Sequence, residues 1–106
     1  MSVLLALCTA PNDDVAMRLA RTLVEERLAA CVSRIPGQRS TYRWNGEIQD
    51  DAEVLLLIKT TRERFDALKS RLPGLHPYAV PELIAFDAVD GLPAYLGWVA
   101  TETGAE

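Results

Sequence analysis

One histidine and two cysteines are all that this 106-residue sequence holds of the side chains that most often ligate transition metals or attack substrates. Cys-x-x-Cys, His-Glu-x-x-His, Gly-x-Ser-x-Gly and glycine-rich phosphate loops are all absent, so the chain offers no zinc ribbon, zincin, hydrolase elbow or P-loop. With one histidine and few paired acids, no intrinsic catalysis is expected. Positive charge is also scarce. Eleven Lys and Arg stand against fifteen Asp and Glu, a net charge of -4, and no basic run is interleaved with aromatics. That is the wrong sign for tracking phosphates, which argues against nucleic acid as a partner. No apolar run approaches the roughly 20 residues that span a bilayer. The opening Val3 to Leu7 run has no basic leader, and Leu7 stands where a lipoprotein signal would place a small residue before its cysteine. The expectation is a cytoplasmic protein without membrane contact, with Cys8 and Cys31 as free thiols in a reducing compartment.

What is present fills one domain, residues 1–106, with 49% hydrophobic and 25% charged residues. Its strongest local signal is Asn45-Gly46 between two β-prone runs, a two-residue type I′ hairpin turn. This turn sets Trp44 opposite Glu47, Arg43 opposite Ile48 and Tyr42 opposite Gln49, with Tyr42 and Trp44 on one face and Arg39, Thr41 and Arg43 on the other. The incoming strand reads back from Trp44 to Ala30, broken only at Pro36-Gly37, which marks a bulge. At roughly 3.3 Å per residue it spans about 50 Å, whereas a domain of this length has a radius of gyration of about 13 Å. The hairpin is therefore expected to project as an arm. A lone two-stranded arm is marginal in water, so its exposed aromatics imply a partner subunit.

Apolar periodicity supplies the other elements. Val3 to Leu7 and Val54 to Ile58 are unbroken apolar runs, expected for central strands covered on both faces. Val15, Leu19, Leu23 and Leu28 recur at helical spacing, giving a first helix over 13–29 capped by Asn12. A second helix is expected to follow a Thr60/Glu63 capping box, with Phe65, Leu68 and Leu72 inward, and to end near Pro73-Gly74. A fourth strand over 82–86, a last helix near Pro93 with Tyr95, Trp98 and Val99 on one side, and fraying over 103–106 complete the reading. The order β-α-β-β-α-β is a ferredoxin-like α+β sandwich with the long hairpin arm and a C-terminal helix added. Two helices cover only one face of its sheet, so another copy of the sheet is the simplest cover for the other.

That topology brings Cys8, at the end of the first strand, close to Glu82 and to the loop carrying His76. A thiolate and an imidazole form a soft pair competent for copper or zinc, while Cys8 as a small buried hydrophobe and His76 as a loop residue is the competing reading. Tyr42 and Trp44 are candidates for a ligand cleft or an interface. Glu47, Glu53 and Lys59 are weighed as functional charges against cross-strand pairing and solubility.

Several stretches then resemble the CutA divalent-cation tolerance proteins. They are Leu7-Cys8-Thr9-Ala10-Pro11, Arg27-Leu28-Ala29-Ala30-Cys31-Val32, Ile35-Pro36-Gly37, Tyr42-Arg43-Trp44-Asn45-Gly46-Glu47-Ile48, Glu53-Val54, Lys59-Thr60-Thr61, His76-Pro77-Tyr78 and Pro81-Glu82-Leu83. The resemblance implies a homotrimer with arms wrapping neighbouring subunits, a role in tolerance of copper and other divalent metal ions, and copper ligation by the residues matching Cys8 and His76. Where some relatives carry two consecutive histidines this chain has Leu75-His76, so copper binding is expected to be weak or absent. A trimeric regulator resembling the PII signalling proteins, taking a small ligand in clefts between subunits, is the alternative. The rigid Asn45-Gly46 hairpin, in place of a long flexible loop, weighs against it.

Overall fold

A computed structural model describes residues 2–104 of the chain. Its elements are β1 (Val3–Ala10), α1 (Asp13–Glu25), β2 (Cys31–Trp44), β3 (Glu47–Thr61), α2 (Arg62–Leu75), β4 (Ile84–Asp87) and α3 (Pro93–Glu102). One four-stranded antiparallel sheet has the order β2-β3-β1-β4, which places the two doubly apolar strands in the centre. The β-α-β-β-α-β sandwich expected from the sequence is the one observed.

The hairpin has the anticipated register, with Trp44 opposite Glu47, Arg43 opposite Ile48 and Tyr42 opposite Gln49. Asn45 (φ 51°) and Gly46 (φ 79°) both occupy the left-handed region, as a type I′ turn requires. The bulge also lies where Pro36-Gly37 marks it: pairing shifts by one residue between Ile35 and Gln38, and Gly37 takes φ 87°. The arm carries the molecule to 44 Å in its longest dimension, with a radius of gyration of 14.2 Å.

Four boundaries differ from expectation, each for a local reason. Helix α1 stops at Glu25 instead of running to residue 29, because Arg27 turns left-handed (φ 59°). The Leu28 amide then donates to the Leu23 carbonyl (2.9 Å) and the Arg27 amide to that of Val24 (3.1 Å), a Schellman cap that buries Leu28. Thr60 forms no capping box, since its hydroxyl donates to the Leu28 carbonyl (2.7 Å); β3 continues to Thr61 and α2 runs past Pro73 to Leu75. Strand β4 begins at Ile84 rather than Glu82, because the next β1 carbonyl on that side, that of Thr9, is taken by His76. Thr103 does not fray: it is buried, and its hydroxyl donates to the Val99 carbonyl (2.8 Å). The expectation for residues 105 and 106 falls outside the described part of the chain.

Helices α1 and α2 cover one face of the sheet, where Ala6, Cys8, Ala10, Val54, Leu56 and Ile58 meet Leu19, Leu23, Leu68 and Leu72. Helix α3 shields only one end of the other face, through Val99 against Val3 and Ala30, while Tyr95 and Trp98 stay largely exposed. The remainder of that face carries Leu5, Leu7, Leu55 and Leu57, all half-buried, flanked by Ile35, Ile84 and Phe86, all exposed. Cys8 and Cys31 are free thiols on opposite faces of the sheet.

Candidate functional site

The end of β1 is where the sequence places its chemistry. The Val3 carbonyl accepts from the Ala88 amide (2.9 Å), so odd-numbered carbonyls of β1 point towards β4. The Thr9 carbonyl faces the same way, beyond the last paired residue Leu7, and a longer β4 would have claimed it. The His76 imidazole takes it instead, with Nε2 at 2.7 Å from the Thr9 oxygen. A carbonyl only accepts, so Nε2 carries the proton. Nδ1 is then free to accept, and it does so from the Tyr78 amide at 3.1 Å. The imidazole is thus a neutral bridge buried between β1 and the loop over residues 76–83, with the Tyr78 ring centroid 4.7 Å from its own.

Cys8 meets the same carbonyl, its thiol donating weakly at 3.7 Å. Its side chain is fully buried on the helix-covered face. Burial, followed by the negative charge of Glu82, pushes its pKa up to about 12. Cys8 and His76 therefore come together as the topology suggests, but as a protonated thiol and an imidazole whose two nitrogens are both in use. Among the described residues no group of three or more His, Cys, Asp or Glu is placed to hold a metal ion.

Beside this junction, at the base of the arm, lies a cleft of about 470 Å³ lined by Thr9, Ser40, Tyr42, Trp44, Glu53, Tyr78, Ala79, Val80 and Glu82. Glu53 is buried and accepts a hydrogen bond from the Tyr78 hydroxyl (2.8 Å). Burial and this bond hold the Tyr78 pKa above the usual phenol range. The Tyr42 hydroxyl donates to Asp51 (2.5 Å), which raises the Tyr42 pKa as well.

Of the residues singled out from the sequence, Tyr42, Trp44 and Glu82 line this cleft, and Cys8 and His76 lie just behind it through Thr9. Glu47 sits apart at the hairpin tip opposite Trp44. Lys59 lies on the incompletely covered sheet face, its ammonium donating to Ser33 Oγ (2.6 Å) with Cys31 Sγ at 3.7 Å. Sequence reasoning passed over Tyr78 and did not place Glu53 in the cleft. The alternation of β3 was the available signal for Glu53: counted from the turn, positions 47, 49, 51 and 53 share the face of Tyr42 and Trp44.

Comparison with known proteins agrees with this geometry. The family model described as CutA1 divalent ion tolerance protein matches residues 4–102. The divalent-cation tolerance protein CutA of Thermus thermophilus is 51% identical over 98 residues, 92% of this chain and 95% of that protein. The mouse protein CutA is 48% identical over 92% of this chain, which spans 55% of the mouse sequence. The crystal structure of CutA from Xylella fastidiosa superposes with a TM-score of 0.94 at 47% identity, covering 98% of this chain and all of that one. With nearly the whole length matched in sequence and in fold, the chain belongs to the CutA1 divalent-ion tolerance family.

Proposed function

We propose that this protein acts as a homotrimeric divalent-cation tolerance protein in which each arm grips a neighbouring subunit, and in which copper binds weakly at Cys8 and His76. The observation that carries the reading is the half-covered sheet. Leu5, Leu7, Leu55 and Leu57 form an apolar strip that α3 leaves open, Ile84 and Phe86 beside it are each 52% exposed, and Trp44 on the arm is 45% exposed. A contiguous apolar surface of this kind, together with a projecting hairpin, is covered most simply by further copies of the same chain.

Weak copper binding follows from competition. A metal at His76 must displace either the Thr9 or the Tyr78 hydrogen bond, and a metal at Cys8 must remove a proton held up to about 12. Leu75 supplies no second imidazole. Calorimetric titration with Cu(I) and Cu(II) of the wild type, Cys8→Ser, His76→Ala and Leu75→His tests this. The expected result is weak binding by the wild type, loss on either removal and a gain in Leu75→His. Tight wild-type binding would overturn it. The cleft is the one observation that favours a PII-like small-ligand regulator, but the arm paired up to the Asn45-Gly46 turn leaves no long loop for partner contact. Among the described residues no helix is long and apolar enough to cross a membrane.

A further inference from the structure

Glu53 is an unusual carboxylate. It retains only 9% of its surface, accepts a side-chain hydrogen bond from a neutral phenol, and belongs to none of the ion pairs among the described residues. Burying a charge without a counter-charge is costly, and such groups usually face a cation. Glu53 lines the cleft at the base of the arm, together with Glu82 and three aromatic side chains, Tyr42, Trp44 and Tyr78. Among the described residues no Lys, Arg or His lines it.

The two phenols are already committed as donors, Tyr42 to Asp51 and Tyr78 to Glu53. What they still offer a ligand is ring surface, made more electron-rich by donation to a carboxylate. Aromatic faces combined with a carboxylate attract cations, and organic cations above all, because an alkylated ammonium gives up its hydration more readily than a metal ion does. A bare divalent ion is poorly served here, since hard dications take six or more oxygen ligands and no group of three or more acidic, His or Cys ligands is assembled among the described residues. An anion would meet two carboxylates. The cleft volume of about 470 Å³ lies in the range of small-molecule sites.

We propose that this cleft binds a small organic cation, an alkylammonium or comparable onium group, with its charge against Glu53 and Glu82 and its carbon substituents against Tyr42, Trp44 and Tyr78. All of its lining residues among those described belong to one chain, and the proposal does not depend on copper binding at Cys8 and His76.

The test is calorimetric titration of the full chain, at an oligomeric state fixed by native mass spectrometry, with tetramethylammonium chloride, tert-butanol and magnesium chloride in parallel. Tetramethylammonium is expected to bind, while tert-butanol, similar in shape but uncharged, and magnesium are not. Glu53→Gln should weaken tetramethylammonium binding by about tenfold, the loss of one charge contact in a partly dry site. Glu82→Gln, on the exposed rim, should weaken it to a smaller extent, and it decides the question if Glu53→Gln loses its fold by circular dichroism. Equal binding of tert-butanol would reduce the cleft to an apolar hollow and overturn the proposal. So would binding of magnesium alone, unchanged affinity in both variants, or no tetramethylammonium binding at all, the outcome if a neighbouring subunit fills the cleft.

Discussion

His76 and Thr9, 67 residues apart, are joined where the β1–β4 ladder ends: the imidazole Nε2 donates to the Thr9 carbonyl at 2.7 Å, in the place a further residue of β4 would have taken. The same ring accepts the Tyr78 amide at 3.1 Å and so orders the loop that forms one wall of the cleft. His76→Ala removes both bonds and leaves a buried carbonyl with only a thiol donor. It is expected to destabilise the protein by about 3 kcal/mol, read from urea unfolding, with His76→Gln intermediate. An alanine variant as stable as the wild type would show the bridge to be idle.

Alkaline pH is expected to destabilise the fold. The Cys8 pKa is raised from 9.0 to about 12, so the unfolded chain releases this proton first. The stability held by the neutral thiol is present below pH 9 and is lost as pH rises towards 12. Tyr78 shifts in the same direction, through burial and its bond to Glu53. Melting temperature measured against pH should fall through this window, less steeply in Cys8→Ala. Parallel curves for the two proteins would contradict the assignment to Cys8.

At the arm tip the cost of substitution comes from the backbone alone. A Cβ on Gly46 meets nothing within 4 Å, yet its φ of 79° disfavours any L side chain. Gly46→Ala should therefore cost about 1 kcal/mol, measured by chemical denaturation, and Gly46→Val more because of its branched side chain. No effect in either variant would mean that the arm is not part of the cooperative unit.

Assembly supplies a further prediction. Native mass spectrometry should find three chains for the wild type at micromolar concentration and a monomer for Phe86→Glu, which puts a charge on the open apolar face. Trp44→Ala should weaken association by about 2 kcal/mol if the arm tryptophan behaves as an interface anchor. A monomeric wild type would sink the trimer.

Much of this architecture was legible in the sequence because it is local. Asn45-Gly46 determines the turn and, through pairing, the faces of Tyr42 and Trp44; Pro36-Gly37 marks the bulge; Asn12 caps α1, its side chain accepting from the Val15 amide at 2.9 Å. The unbroken apolar runs of β1 and β3 announce central strands, and β3 and β1 are the two inner strands of the sheet. Helix and strand ends were less legible. Arg27 in a left-handed cap and Thr60 donating to Leu28 depend on partners brought close only by folding.

The candidate site divides along the same line. Sequence by itself identified Cys8, His76 and Glu82 as neighbours, since strand order and chirality bring the end of β1 to the loop before β4. What the imidazole does was decided by tertiary structure alone. The Thr9 carbonyl fixes its tautomer, the Tyr78 amide occupies its remaining lone pair, and burial keeps the proton on Cys8. Likewise, an acidic residue before an apolar run reads as a solvated charge until β3 and the 76–83 loop close around Glu53 and leave it facing a cleft with no basic side chain among its described lining residues. Hydrogen-bond partners and desolvation depend on distances between remote segments, and residue spacing along the chain does not contain them.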